Sequence, residues 1–394
     1  MRTFGDRLSR RVCLAACGAG VAAARGAGAA DPYDDVRTFL NEQHAAAVFP
    51  GAALIGSING KIRLETYLGV YHSLKSPSER VTREVIHPLY SFSKLVSATV
   101  VGIAVQEGKV EWSTPVRKFI PEFTGGGKDE ITLRHLLTHS AGMPSVPLKQ
   151  VHTREGWQAA LNAMCAASTD WAPGSRTLYH GLTGLFTAAA VVLRAYGLES
   201  WDDLAREKLF RPIGARSLTF QLPRDEAHTA LTPQPKGPVA SLATHFGAAG
   251  HPAGGGFGTP RDALKVLQLH LNRGLWGDEQ VVDAAVVDEM HRLQYAAQIT
   301  AVRARGERPA HETWGLGPLL RGDGPPAGGH DWFGFRDRKD PGVFGHAGID
   351  TVIGVAEPST GKALFFVTTQ SPPDSPRTIA LRNGVSNRML DALK

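Results

Sequence analysis

Apolar and polar positions along this chain follow three rhythms, and the changes between them divide it into elements. Two β-rich runs, 52–58 and 62–68, flank Asn59-Gly60. Alternating runs around Asn-Gly predict a two-residue hairpin. The nearly unbroken apolar stretch from Leu95 to Val105 predicts a buried helix over 91–107, closed by Gly108. Helical spacing also predicts helices over 34–47, 157–167, 183–196, 201–209, 262–272, 283–293 and 378–393. A short helix within 131–144 is stopped by Gly142 and Pro144. Two strands, 351–357 and 362–369, are separated by Pro358-Ser359-Thr360-Gly361 and predict a second hairpin. Residues 299–341 are rich in Arg, Gly, Pro and His without periodicity and read as one long loop, of a length usually tied to function or disorder.

This order predicts an α+β fold. Strands from both ends of the chain form an antiparallel sheet flanked by helices, with an all-helical lobe inserted. The α/β lobe would take about 35–111 and 300–394, and the helical lobe about 112–260. No internal repeat is visible.

Length and composition sharpen this only at the N-terminus. The 394 residues can bury a large core, and 42% hydrophobic with 20% charged residues is ordinary for a soluble protein. The formal charge of +6 is concentrated in the first 30 residues, which hold five Arg and one Asp; the rest carries +2. No basic stripe with interleaved aromatics appears, so the charge is no argument for nucleic acid. Ser9-Arg10-Arg11, a short apolar core over 12–24 and small residues to Ala30 read as an export signal over 1–30, resembling the twin-arginine type. The core is too short to span a bilayer stably. An alternative lipoprotein-type box, Leu14-Ala15-Ala16-Cys17, has only about five apolar residues before Cys17, where a signal core needs about seven. Cys165 is the only cysteine beyond the leader, so no internal disulfide can form there.

The candidate chemistry starts at Ser91-Phe92-Ser93-Lys94. Residues three apart on a helix share a face, so the Ser91 hydroxyl and Lys94 amine point the same way. Ser93 faces elsewhere. A serine hydroxyl needs a neighbouring base, and a lysine can be one when burial lowers its pKa. The helix start adds N–H donors suited to an oxyanion. Two other motifs carry less. His135 and His139 are four apart, but Leu136 stands where the zinc-protease motif has an acid. Capping or internal hydrogen bonding accounts for them better, and no metal or cofactor is expected. Gly125-Gly126-Gly127-Lys128 is followed by Asp129 and lacks P-loop spacing.

Ser91-x-x-Lys94 followed by Leu136-Leu137-Thr138-His139-Ser140-Ala141-Gly142 resembles the serine β-lactamase-related superfamily, in the branch of class C β-lactamases, D-alanyl-D-alanine carboxypeptidases and family VIII carboxylesterases. Further motifs follow in order. Pro173-Gly174 precedes Tyr179-His180-Gly181, and Gly345-His346-Ala347-Gly348-Ile349 stands on a late strand. Gly254-Gly255-Gly256-Phe257-Gly258 and Trp314-Gly315-Leu316-Gly317 add support.

The resemblance implies a β-lactamase/transpeptidase-like fold over about 35–394 and an acyl-enzyme on Ser91. Lys94 and Tyr179 would share the role of base, a division that is disputed for Ser-x-x-Lys enzymes. His346 would orient Tyr179, contact substrate or pass protons near neutral pH. The oxyanion hole would be the backbone N–H groups of Ser91 and Ile349. His180, Gly181, Ala347 and Gly348 would touch substrate. Two departures matter. Gly181 stands where the β-lactamases and peptidases have Asn, and His346 replaces a fixed cation. Both favour esters. The expectation is an exported serine hydrolase acting as a carboxylesterase on small esters. A D-amino-acid-specific peptidase or weak β-lactamase is the alternative enzyme, and a non-catalytic penicillin-binding-like scaffold the alternative of another class.

Overall fold

The computed structural model describes residues 31–394 apart from 74, 77, 146–150, 152, 231–249, 327, 350 and 371–375. The expected export signal, 1–30, lies outside the described residues. Asn59 and Gly60 take left-handed φ values of 49° and 75°, the pair of positive angles a type I′ turn requires. They close a hairpin of β1 (Gly51–Ile58) and β2 (Lys61–Tyr71). The other strands are β3 (Glu79–Arg80), β4 (His87–Pro88), β5 (Phe257–Gly258), β6 (Leu275–Trp276), β7 (Glu279–Gln280), β8 (Leu319–Leu320), β9 (Phe344–Gly348), β10 (Val352–Glu357) and β11 (Lys362–Thr368). The main sheet has the order β3-β2-β1-β11-β10-β9-β8, with antiparallel pairing throughout. Strands from the two ends of the chain meet at its centre, where Leu54 faces Phe366 and Ile55 faces Phe365.

Successive strand residues point to opposite faces, and here both faces are buried. Leu54, Ile353, Leu364 and Phe366 pack with Val36, Leu40, Leu381, Val385 and Met389 of helices Asp34–Ala45 and Pro376–Ala392. Ile55, Val352, Phe365 and Val367 pack with Leu95, Leu264 and Leu267 on the opposite side. Burying each such side chain stabilises the fold by about 1.5–3 kcal/mol. Both faces being covered explains why β10 and β11 read as apolar runs rather than as alternating ones.

The helix Ser93–Gln106 is buried from Ser93 to Ala104, as its all-round apolar sequence requires. Between β4 and β5 the regular elements of the described residues are helices, including Leu133–Leu137, Arg154–Ala166 and Thr183–Tyr196. The single helix expected over 201–209 is α-helical only at Trp201–Ala205 and continues as a π-turn, Arg206–Phe210. The long loop expected over 299–341 is also corrected. It contains the end of helix Ala296–Ala304, strand β8 and helix Gly328–Phe333. These elements are too short, and too often interrupted by Gly and Pro, to show a period.

Candidate active site

Ser91 sits in a 3₁₀ turn, Tyr90–Phe92, that runs directly into the helix Ser93–Gln106. Residues three apart also align in a 3₁₀ turn, so the spacing of Ser-x-x-Lys survives the change of helix type. Lys94 Nζ donates to Ser91 Oγ at 3.0 Å and to the Ala253 carbonyl at 2.8 Å. Tyr90, just before the nucleophile, takes φ +44°, a region that costs a non-glycine residue about 1–3 kcal/mol.

One loop satisfies the polar side chains in the first turns of this helix. Ser93 Oγ accepts from Gly256 N at 3.0 Å, and Ser97 Oγ donates to Pro252 O at 2.6 Å. Leu89 N donates to Gly256 O at 2.8 Å. A Cβ on Gly256 would lie 2.8 Å from Ser93 Oγ. The glycine run therefore serves as the floor under the nucleophile, and Ser93 indeed faces away from the cleft.

Lys94 is fully buried. Burial opposes its charged form and pushes its pKa down to about 7. Its ammonium lies 5.3 Å from the centre of the Tyr179 ring. Tyr179 hydrogen-bonds Ser91. The residue is 37% exposed as a whole, yet desolvation of its phenol pushes the pKa up while the Ser91 bond opposes the shift. The ring stacks on Trp314, with centroids 5.8 Å apart and planes at 11°, and packs on His139 at 4.9 Å.

His346 is close to this group without lining the cleft. It is fully buried, and its ring lies 6.0 Å from that of Tyr179. Its Nδ1 bonds the Ala347 carbonyl at 2.9 Å. A carbonyl can only accept, so Nδ1 carries the proton. Burial, with the Lys94 charge adding to it, holds the imidazole pKa well below its usual range. A proton relay near neutral pH does not fit this placement; packing beside Tyr179 does. His180 and Gly181 directly follow Tyr179. The start of the helix Thr183–Tyr196 captures the His180 ring through the Thr183 hydroxyl at 2.5 Å, and Gly181 has open space on its Cβ side.

Ala347, Gly348 and Ile349 do meet Ser91 and Tyr179, in a cleft of 430 Å³. Trp314, Trp332 and Phe333 form apolar walls, and among the described residues Glu312 supplies the one carboxylate and no Lys or Arg lines it. A Cβ on Gly348 would come within 2.8 Å of Tyr90 Cβ and 3.1 Å of Ser91 N. Only glycine allows β9 to lie this close to the nucleophile turn.

Sequence reasoning missed three contributors. His139, set aside as half of a metal-like pair, takes φ +55° and packs against both Tyr179 and Trp314. Its partner His135 forms a capping box with Thr132. Glu312 and the Ala253 carbonyl carry no motif of their own; their closeness to Trp314 and Gly254 was the only signal.

A profile of the Beta-lactamase family matches residues 36–386. The chain belongs to the β-lactamase family. Among relatives of this β-lactamase-family chain, penicillin-binding protein 4 of Amycolatopsis lactamdurans is 26% identical over 313 residues, which cover 76% of this chain and 77% of the relative. Esterase EstB of Burkholderia gladioli is 24% identical over 388 residues, covering 86% and 91%. A crystal structure of a family VIII carboxylesterase superposes with a TM-score of 0.72 at 22% identity, covering 91% of this chain and 98% of that one. These likenesses establish the β-lactamase/transpeptidase-like fold and place the chain among serine hydrolases.

Proposed function

We propose that this protein is an exported carboxylesterase-like serine hydrolase that works through an acyl-enzyme on Ser91. The observation that carries the reading is the buried amine of Lys94, 3.0 Å from the Ser91 hydroxyl and with its pKa pushed down to about 7. Neutral Lys94 takes the Ser91 proton as Oγ attacks the ester carbonyl. The oxyanion forms against the N–H groups of Ser91 and Ile349. As the tetrahedral intermediate collapses, the alcohol leaves with a proton from the Lys94 and Tyr179 side. Water then enters by the reverse proton path and releases the acid.

The cleft supports esters over peptides or lactams. Penicillins and peptide C-termini carry a carboxylate, and no Lys or Arg of the described residues lines the walls to hold it. His346, standing where relatives have a cation, is buried and neutral. The apolar walls suit a small acyl or aryl group.

The test treats purified protein with a fluorophosphonate and a fluorescent penicillin, reads intact mass, and follows turnover of a p-nitrophenyl ester. Ester turnover and a fluorophosphonate adduct, both lost in Ser91→Ala, are expected. Stable penicillin labelling with D-Ala release would replace this reading by the peptidase. No adduct with either probe would leave a binding protein.

A further inference from the structure

The helix Pro376–Ala392 supplies a buried cation that the chemistry above does not use. Arg382 is 0% exposed. Its Nη2 donates to the Gly348 carbonyl at 2.9 Å, and its Nη1 donates to the Trp332 carbonyl at 3.3 Å. The guanidinium carbon also lies 5.0 Å from the centre of the Trp332 ring. Burying a guanidinium is costly unless it is well partnered. Here part of its hydrogen-bonding capacity goes to the backbone of two residues that line the cleft.

We propose that Arg382 is a positioning residue that aims the oxyanion donor at Ile349. The inference rests on the reading of the Ile349 N–H as part of the oxyanion hole. The Gly348 carbonyl and the Ile349 N–H belong to one peptide unit. A trans peptide is planar, and its C=O and N–H point in opposite directions. Holding the oxygen towards the terminal helix therefore turns the N–H to the other side. The nucleophile turn packs directly on the same residue, since a Cβ on Gly348 would meet Leu89 O and Ser91 N, each at 3.1 Å. Gly348 is thus held between the Arg382 guanidinium and the backbone of residues 89–91. A second effect is electrostatic. A cation bonded to the carbonyl polarises the amide and makes its N–H a stronger donor. Through Trp332 the same side chain ties the wall of the cleft to the oxyanion strand, so the two are set together.

The test compares Arg382→Lys, Arg382→Gln and Arg382→Met with the parent on a p-nitrophenyl ester. It also measures affinity for an aryl trifluoromethyl ketone, whose adduct with Ser91 places an oxyanion in the hole. Removing one oxyanion donor outright typically costs about 100- to 1,000-fold in kcat, so misaiming one should cost about 10- to 100-fold. In Arg382→Met, kcat should fall by that factor with KM within about twofold, and ketone affinity should fall in parallel. Arg382→Lys keeps a charged donor and should recover part of both. If Arg382→Met fails to fold by circular dichroism, the Lys and Gln variants carry the comparison. Folded variants with unchanged kcat, a loss in KM alone, or a loss in kcat without loss of ketone affinity would each overturn the proposal. Replacing Ile349 by its α-hydroxy acid analogue removes the N–H, while the Gly348 carbonyl stays in place as a weaker acceptor. Full activity there would sink the oxyanion reading itself. A large loss there beside unaffected Arg382 variants would sink only the role given to Arg382.

Discussion

The pH dependence of acylation is the most direct reading of the Lys94 environment. An ordinary lysine, with a pKa of 10.5, is neutral in only about one molecule in 3,000 at pH 7. Lys94, pushed down to about 7 by burial, is neutral in about half. The fold thus raises the supply of free base about 10³-fold, at a cost to the ammonium form of about 5 kcal/mol, taking about 1.4 kcal/mol per pKa unit. The assay is stopped-flow acylation by p-nitrophenyl butyrate from pH 5 to 10. The ratio kcat/KM should rise with unit slope and level off near pH 7, because it reports the free enzyme. Tyr179 makes the opposite prediction, since burial pushes its phenol up; a Tyr179 base would put the rise above pH 10. Lys94→Arg stays charged at every pH and should lose at least about 10³-fold, along with the rise near 7. A rise found only above pH 9, or one near 7 that persists in Lys94→Arg, would refute the assignment.

Two further predictions concern charge. The first is acid stability. Burial pushes His87 and His251 down to about 3 and His291 and His330 to about 4, and holds His139, His270 and His346 well below the usual value. Their folded pKa values lie below the unfolded value of about 6.5, so below that pH the unfolded chain binds more protons and stability falls as pH falls. The loss continues until pH reaches the folded values. Each such histidine removes about 1.4 kcal/mol per pH unit below 6.5. Urea titrations from pH 8 to 4.5 should therefore show unfolding at pH 5 taking up several protons, and equal stability at pH 7 and pH 5 would contradict the argument. The second concerns substrate charge. Glu312 accepts from the Trp314 indole at 2.9 Å, a bond that glutamine can keep. Glu312→Gln should weaken KM for a trimethylammonium-bearing p-nitrophenyl ester about 3- to 10-fold at low salt and leave a neutral ester unchanged. An unchanged ratio between the two esters would show that the carboxylate does not act on substrate.

How much of this was legible before any coordinates depended on range. The Asn59-Gly60 hairpin and the buried helix after Lys94 are local, and their residue chemistry suffices to identify them. Ser91 and Lys94 are legible for the same reason, being three residues apart. The short motifs around Tyr179 and His346 were visible only as a resemblance, since nothing local requires these residues to approach Ser91. The cleft walls were hidden because Trp332 and Phe333 sit on a six-residue helix within an aperiodic stretch. The contact that fixes the His180 ring was equally invisible. The neighbour of His180 in the motif enters the site, and a threonine three residues after His180 captures its ring. Arg382 is 291 positions from Ser91, on a helix whose sequence resembles that of any surface-facing terminal helix until its burial is seen.

Several features that local preference would avoid lie close to Ser91, although Ala47, Asn59, Arg273 and Tyr295 take positive φ elsewhere. Lys94 is buried with its charge disfavoured. Tyr90, His139 and Thr351 adopt left-handed φ values of 44°, 55° and 53°, each an unfavourable choice of about 1–3 kcal/mol for a residue with a side chain. Tyr90 precedes the nucleophile, His139 packs on Tyr179, and Thr351 lies two residues beyond Ile349 in the connection from β9 to β10. Such costs persist only where the surroundings over-determine them. Here the surroundings are the doubly covered sheet, in which Gly348 pairs with Val352 and β10 lies against β11. The sheet holds β9 against residues 89–91 whether or not those residues would choose that geometry. The loop 252–256, with its carbonyls turned to Lys94 and Ser97, holds the amine in place from the other side. A nucleophile held between two rigid supports loses little further freedom on the way to an acyl-enzyme, which is the form of preorganisation that lowers a barrier rather than merely tightening binding.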